Sequence, residues 1–157
     1  MIHKARDIMT MNIIVVEEDT SINNLIRIFM DNKISCVPVV NDEKKLVGIV
    51  TKTDVLGHFM DIDLHISIKD TLQDILEFSS EQRDLETVPE TEMKVRAIMT
   101  PNPITTGEDT TVESLAKTMI ENNIHRLIIT RDNEIAGIVS TLDILYHVAG
   151  IDKHERR

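Results

Sequence analysis

The chain has no tryptophan, one tyrosine and three phenylalanines, so an aromatic core is excluded and the interior must be built from Ile, Val, Leu and Met. Its eight methionines read as core filler, not as a thioether metal site. One cysteine, Cys36, excludes a disulfide scaffold; within the apolar run Ile34–Val40 it reads as a buried reduced thiol. With only five glycines there is no phosphate-cradling glycine loop, and no Cys/His, Ser/His/Asp or four-ligand metal arrangement occurs, which speaks against an enzyme. No apolar run approaches the length of a membrane span and no hydrophobic signal core opens the chain, so a cytoplasmic protein without a membrane partner is expected. Basic residues are also short: 17 Lys and Arg stand against 27 Asp and Glu, a formal net charge of −10. That field disfavours nucleic acid as the main partner, and any phosphate must be held by a local cluster of charge.

What is present is a repeat. Gly48-Ile49-Val50-Thr51-Lys52-Thr53-Asp54 returns as Gly137-Ile138-Val139-Ser140-Thr141-Leu142-Asp143, with glycine, two β-branched residues, a hydroxyl and an aspartate in the same order. The β-branched pair reads as the end of a buried strand, and the hydroxyl and aspartate as the first turn of a helix. Such a junction gathers a hydroxyl, a carboxylate and unpaired backbone N–H groups; the carboxylate suits the two hydroxyls of a ribose and the others suit a phosphate. Thr-x-x-Asp is equally a pattern that merely caps a helix.

In chain order, Arg6–Thr10 reads as a helical turn and Asn12–Val16 as a strand, with Asp19-Thr20 as N-cap of a helix carrying Ile22, Leu25, Ile26, Phe29 and Met30. Asn32 closes that helix. Ser35–Val40 is a strand, Asn41–Lys45 a polar turn, Leu46–Thr51 a strand, and a helix runs from Thr53 to about Met60. The order recurs from Val95: Arg96–Thr100 matches Arg6–Thr10, and the second helix face is Val112, Leu115, Ala116, Met119 and Ile120. The second hairpin turn, Arg131–Glu134, is one residue shorter. Repeats of this size imply two units that bury their faces on each other. The expected boundaries are residues 1–66 for the first repeat, 67–92 for a linker with an amphipathic helix in Ile68–Ser80, 93–150 for the second repeat and 151–157 for a charged tail. Glu81–Glu92 reads as an exposed acidic tether. Asp61, Asp63 and His65 lack the fixed spacing of a metal site, and His3, His58, His147 and His154 have no paired spacing either.

The two Ile-Met-Thr openers, the strand Ile34-Ser35-Cys36-Val37-Pro38-Val39-Val40, its counterpart Ile124-His125-Arg126-Leu127-Ile128-Ile129 and the two Gly-Ile-Val-(Thr/Ser)-x-x-Asp junctions together resemble a tandem pair of cystathionine-β-synthase (CBS) domains. The resemblance implies a mixed α/β (α+β) fold in which two β-α-β-β-α units pack sheet to sheet about a pseudo-twofold axis. It also implies clefts between them that take adenosine compounds (AMP, ADP, ATP or S-adenosylmethionine) as regulatory ligands, with no cofactor required. On that resemblance Asp54 and Thr51 would hold ribose and phosphate in one cleft, with Thr53 within reach, and Asp143 and Ser140 would do so in the other. His125-Arg126, after Ile124, resembles the basic pair that contacts phosphates in nucleotide-sensing members, and an arginine fork suits a phosphate on chemical grounds alone. Ser35-Cys36 occupies the equivalent place without positive charge. Family geometry implies that Asp54 and Thr51 share a cleft with His125 and Arg126, and that Asp143 and Ser140 face Ser35 and Cys36.

The function expected is therefore a ligand-sensing regulatory module acting on a partner protein in trans. The alternative is a ligand-free dimerisation scaffold in which the Thr/Asp and Ser/Asp pairs are caps and nothing more. A homodimer is expected in either case, because Val55, Leu56, Phe59 and Met60 with Ile144, Leu145 and Val148 supply more apolar surface than one small core readily buries.

Overall fold

The structure, a computed structural model, describes residues 2–62 and 93–151. The expected linker helix, the acidic tether, Asp63, His65 and the end of the chain lie outside the described residues, as do the side chains of Met60 and Asp61. After α1 (Ala5–Ile8) come β1 (Val16–Glu17), α2 (Ile22–Asp31), β2 (Cys36–Val40), β3 (Leu46–Thr51) and α3 (Lys52–Ile62). A 3₁₀ turn (Val95–Ala97) opens the second repeat, which continues with β4 (Thr100–Pro101), β5 (Thr105–Gly107), α4 (Val112–Glu121), β6 (Arg126–Arg131), β7 (Glu134–Ser140) and α5 (Thr141–Ala149). The strands form two sheets, ordered β1-β2-β3-β4 and β5-β6-β7, each with one parallel pair followed by an antiparallel hairpin.

Local chemistry accounts for most of these limits. Buried Ile22, Leu25 and Phe29 recur on one face of α2, as Val112, Leu115 and Met119 do on α4. Ile120 departs from the expected apolar face, being 80% exposed. The N-cap of α2 is Ser21, not Asp19-Thr20: its Oγ accepts from the Asn24 N–H at 3.3 Å, the reach required of the residue just before the first helical one. Asp19 instead pairs with Arg96 at 2.6 Å. The expected strand Asn12–Val16 shrinks to Val16–Glu17, because Asn12, Ile13 and Ile14 leave the ladder and wall a cleft. In the β2–β3 turn Asn41 Oδ1 accepts from the N–H groups of Glu43 and Lys45, both at 3.0 Å. The shorter β6–β7 turn places Asp132 and Asn133 at φ 51° and 66°, the paired positive values of a type I′ hairpin.

Each repeat's opening segment is exchanged. Thr10 trades two backbone hydrogen bonds with Ile138 of the second repeat (2.9 and 3.0 Å), while β4, from the second repeat, pairs with Gly48 and Ile49 of the first. Ala5 and Met9 join the core of Leu115, Leu127 and Val139; Val95 and Met99 join that of Leu25, Val37 and Val50. The motif glycines sit where the exchanged methionines cross: a Cβ on Gly137 would lie 2.4 Å from Met9 Sδ, and one on Gly48 would lie 2.5 Å from Met99 Sδ. Ion pairs Arg6–Asp109 (2.9 Å) and Arg96–Asp19 (2.6 Å) fasten the same crossings at the surface. Neither core is closed by its own repeat alone.

Candidate functional site

The two repeated junctions form matching caps. At the head of α3, Asp54 Oδ2 accepts from both the backbone N–H and the hydroxyl of Thr51 at 2.7 Å, and the Asp54 N–H returns a bond to Thr51 Oγ1 at 3.3 Å. At the head of α5, Asp143 Oδ2 accepts from the Ser140 N–H and hydroxyl at 2.7 Å, and the Asp143 N–H returns to Ser140 Oγ at 3.2 Å. Both are reciprocal capping boxes. The caps engage Oδ2 only, so Oδ1 of each carboxylate takes no part in them. Asp143 is 6% exposed and Asp54 is half-buried.

A cleft of about 410 Å³ opens beside the second cap, within the size range of small-ligand sites. Its polar walls are Ser140 and Asp143 from the second repeat and Lys33, Ser35 and Cys36 from the first; Arg126 closes it, and Ile13, Ile14 and Tyr146 add apolar and aromatic surface. Arg126 stands opposite Ser140 in the β6–β7 ladder, and its Nη2 donates to Ser35 Oγ at 2.7 Å across the two repeats. Cys36 holds the corresponding place opposite Thr51 in the β2–β3 ladder. Burial pushes the Cys36 thiol above its usual pKa, while the charge and hydrogen bond of Arg126 pull it back part of the way.

The cation therefore falls on the other side from the one expected. Arg126 lines the cleft of Asp143 and Ser140, together with Ser35 and Cys36. The reason is strand register: the first residue of β6 is the ladder partner of Ser140, so its side chain starts beside that cap. The doublet is also split, His125 lying just before the first residue of β6. His125 and Ile124 line a separate apolar groove of about 410 Å³ between α4 and α5, with Ile120, Ile144 and Leu145. Thr51, Thr53 and Asp54 line neither the cleft nor the groove, and Thr53 is exposed. Sequence reasoning missed Lys33, Ile13, Ile14 and Tyr146. Tyr146 could have been found three residues after Asp143, on the same helix face. Among the described residues no group of three or more His, Cys, Asp or Glu could hold a metal, and no helix is long and apolar enough to cross a membrane.

With two exchanged β-α-β-β-α units and a cleft between them, the class is defined. The chain belongs to the CBS domain family, whose profile matches residues 5–61 and 95–150. It is 35% identical over 142 residues to the uncharacterised protein MJ1426 of Methanocaldococcus jannaschii, covering 84% of this chain and 83% of that one. Of the longer protein MJ1404 from the same organism, 30% identical over 150 residues, the chain spans 33%. Among solved structures, the CBS domain pair of protein MJ0100 in complex with 5-methylthioadenosine and S-adenosyl-L-methionine superimposes with a TM-score of 0.69 at 24% identity, covering 96% of this chain and 98% of that one. CBSX2 of Arabidopsis thaliana in complex with AMP gives 0.68 at 22% identity, covering 94% and 97%.

Proposed function

We propose that this chain is a non-catalytic regulatory module that binds an adenosine compound in the Asp143 cleft and signals its presence to a partner protein. The observation that carries this reading is the meeting in one cleft of a guanidinium (Arg126), a carboxylate (Asp143), a hydroxyl (Ser140) and an aromatic ring (Tyr146). The Asp143 carboxylate suits the hydroxyls of a ribose, Arg126 a phosphate, and the apolar wall a purine face. The adenosine ligands of the MJ0100 pair and of CBSX2 agree with that chemistry. Asp54, Thr51 and Thr53, with Cys36 in the place of the arginine, offer a second corner for a ligand of low negative charge.

The groove between α4 and α5 and the exposed side chains Leu145 (62%) and Val148 (77%) support a homodimer through these helices. The experiment for the function is titration calorimetry of the intact chain with AMP, ADP, ATP and S-adenosylmethionine, with chromatography of each mixture afterwards. Saturable binding with unchanged ligand is expected. A folded chain that takes none of them is the dimerisation scaffold instead, and a chemically altered ligand makes it an enzyme.

A further inference from the structure

The other surface arginines that fasten this fold are tied to carboxylates: Arg6 to Asp109, Arg96 to Asp19 and Arg131 to Glu108. Arg126 is held differently. Its Nη2 donates to a neutral hydroxyl, Ser35 Oγ, from the opposite repeat. A hydroxyl fixes the direction of a guanidinium without neutralising it, and the planar group, which also hydrogen-bonds the Cys36 thiol, keeps further N–H donors to present as a fork. The anchor is itself rigid, since the Ser35 carbonyl accepts from the Lys52 N–H at 3.0 Å at the start of α3. Ser35 lines the same cleft as Asp143, so the bond holds the charge at the cleft wall.

From this we infer that Ser35 is a positioning residue which aims Arg126 into the Asp143 cleft and so sets the preference of that cleft for phosphorylated over unphosphorylated adenosine compounds. The inference rests on the adenosine-binding reading. A long arginine that is already ordered loses less freedom when a phosphate binds it. Removing the anchor returns that cost to the binding step, about fivefold in affinity, and the cost falls only on ligands that use Arg126.

The experiment measures AMP and adenosine affinities by calorimetry for the unsubstituted chain, Ser35→Ala, Ser35→Thr and Arg126→Ala. Ser35→Ala is expected to weaken AMP about fivefold with adenosine held within about twofold, Ser35→Thr to restore AMP affinity, and Arg126→Ala to weaken AMP further than Ser35→Ala does. Equal losses of AMP and adenosine in Ser35→Ala, or no restoration by Ser35→Thr, make Ser35 a general structural residue and overturn the inference. An unchanged AMP affinity in Ser35→Ala beside a loss in Arg126→Ala overturns it while leaving the functional reading intact. An unsubstituted chain that binds neither compound overturns both.

Discussion

The corners at Asp54 and Asp143 are alike in their caps and unlike in what stands beside them. Their carboxylate-to-hydroxyl bonds are both 2.7 Å and their reciprocal N–H bonds differ by a tenth of an ångström. A helix needs those bonds whether or not a ligand comes, because its first N–H groups have no partner within the helix. The repeated Thr/Ser-x-x-Asp is therefore fully explained by capping, and it cannot by itself tell a binding corner from a bare one. The difference lies one strand away, where β6 begins with Arg126 and β2 with Cys36. A charge that can meet an anion stands at one head; a half-buried thiol stands at the other. The largest effect should accordingly come from removing the charge. Arg126→Ala is expected to weaken AMP about ten- to a hundredfold, the worth of a charge-assisted hydrogen bond, while adenosine changes little in calorimetry. An equal loss for both ligands would break the comparison, since the two corners would then not differ by charge.

The crossings of the exchanged openers sharpen the same comparison through stability. A Cβ at Gly137 would lie 2.4, 2.8 and 3.0 Å from Met9 Sδ, Cγ and Cβ, and one at Gly48 would lie 2.5 Å from Met99 Sδ and 3.2 Å from the Thr100 carbonyl. At each site at least one obstructing atom is close to or in the backbone and cannot swing aside. Gly137→Ala and Gly48→Ala should each cost about 1–3 kcal/mol, read by denaturant unfolding. The Gly137→Ala, Met9→Ala double variant should lose less than the sum of its singles, because the shorter side chain makes room. Additive losses would mean that the glycine is not there for Met9.

The caps come next. Asp54→Ala and Asp143→Ala each remove the acceptor of a backbone N–H and should cost about 1 kcal/mol, with Asp143→Ala the larger because its surroundings are buried. Thermal unfolding followed by circular dichroism checks the order. Equal costs would show that burial of the Asp143 corner adds nothing to its cap.

Much of this was legible in the sequence because repeats, alternation and caps are local. Leu46–Thr51 is a strand with the limits its apolar run implies, and the Asp132-Asn133 turn follows from the shortened loop. Asn12–Ile14 look like strand and are not, because an apolar run is the same whether it pairs in a ladder or walls a cleft. The exchange of openers was beyond reach: a repeat shows that Met9 and Met99 are equivalent, but not which glycine each one meets. Of the candidate residues, Ser35, Cys36, Arg126, Ser140 and Asp143 line one cleft, a grouping other than the one expected. Family geometry set Arg126 with Asp54, whereas its register opposite Ser140 depends on a bulge between Ile129 and Thr130; counted outward from the β6–β7 turn alone, Arg126 would stand opposite Val139.

The smallest expected effect is on the thiol at the other strand head. Burial raises the pKa of Cys36, and Arg126 opposes that rise by stabilising the thiolate. Only the thiolate reacts with an alkylating agent. Arg126→Ala removes the opposing influence, so the pKa should climb further, and alkylation of the folded protein at a fixed mildly alkaline pH should slow. The midpoint of its pH profile should move up. A phosphate that takes the guanidinium should act in the same direction in the unsubstituted chain, both by drawing off the charge and by covering the thiol. Stability carries the matching sign. The folded chain holds this proton to higher pH than the unfolded one, so the contribution is complete below the ordinary thiol pKa and is lost as pH rises through the raised value. Alkylation that is faster in Arg126→Ala, with the protein still folded, would mean that the arginine shields Cys36 more than it activates it, and the two strand heads would then interact through packing and not through charge.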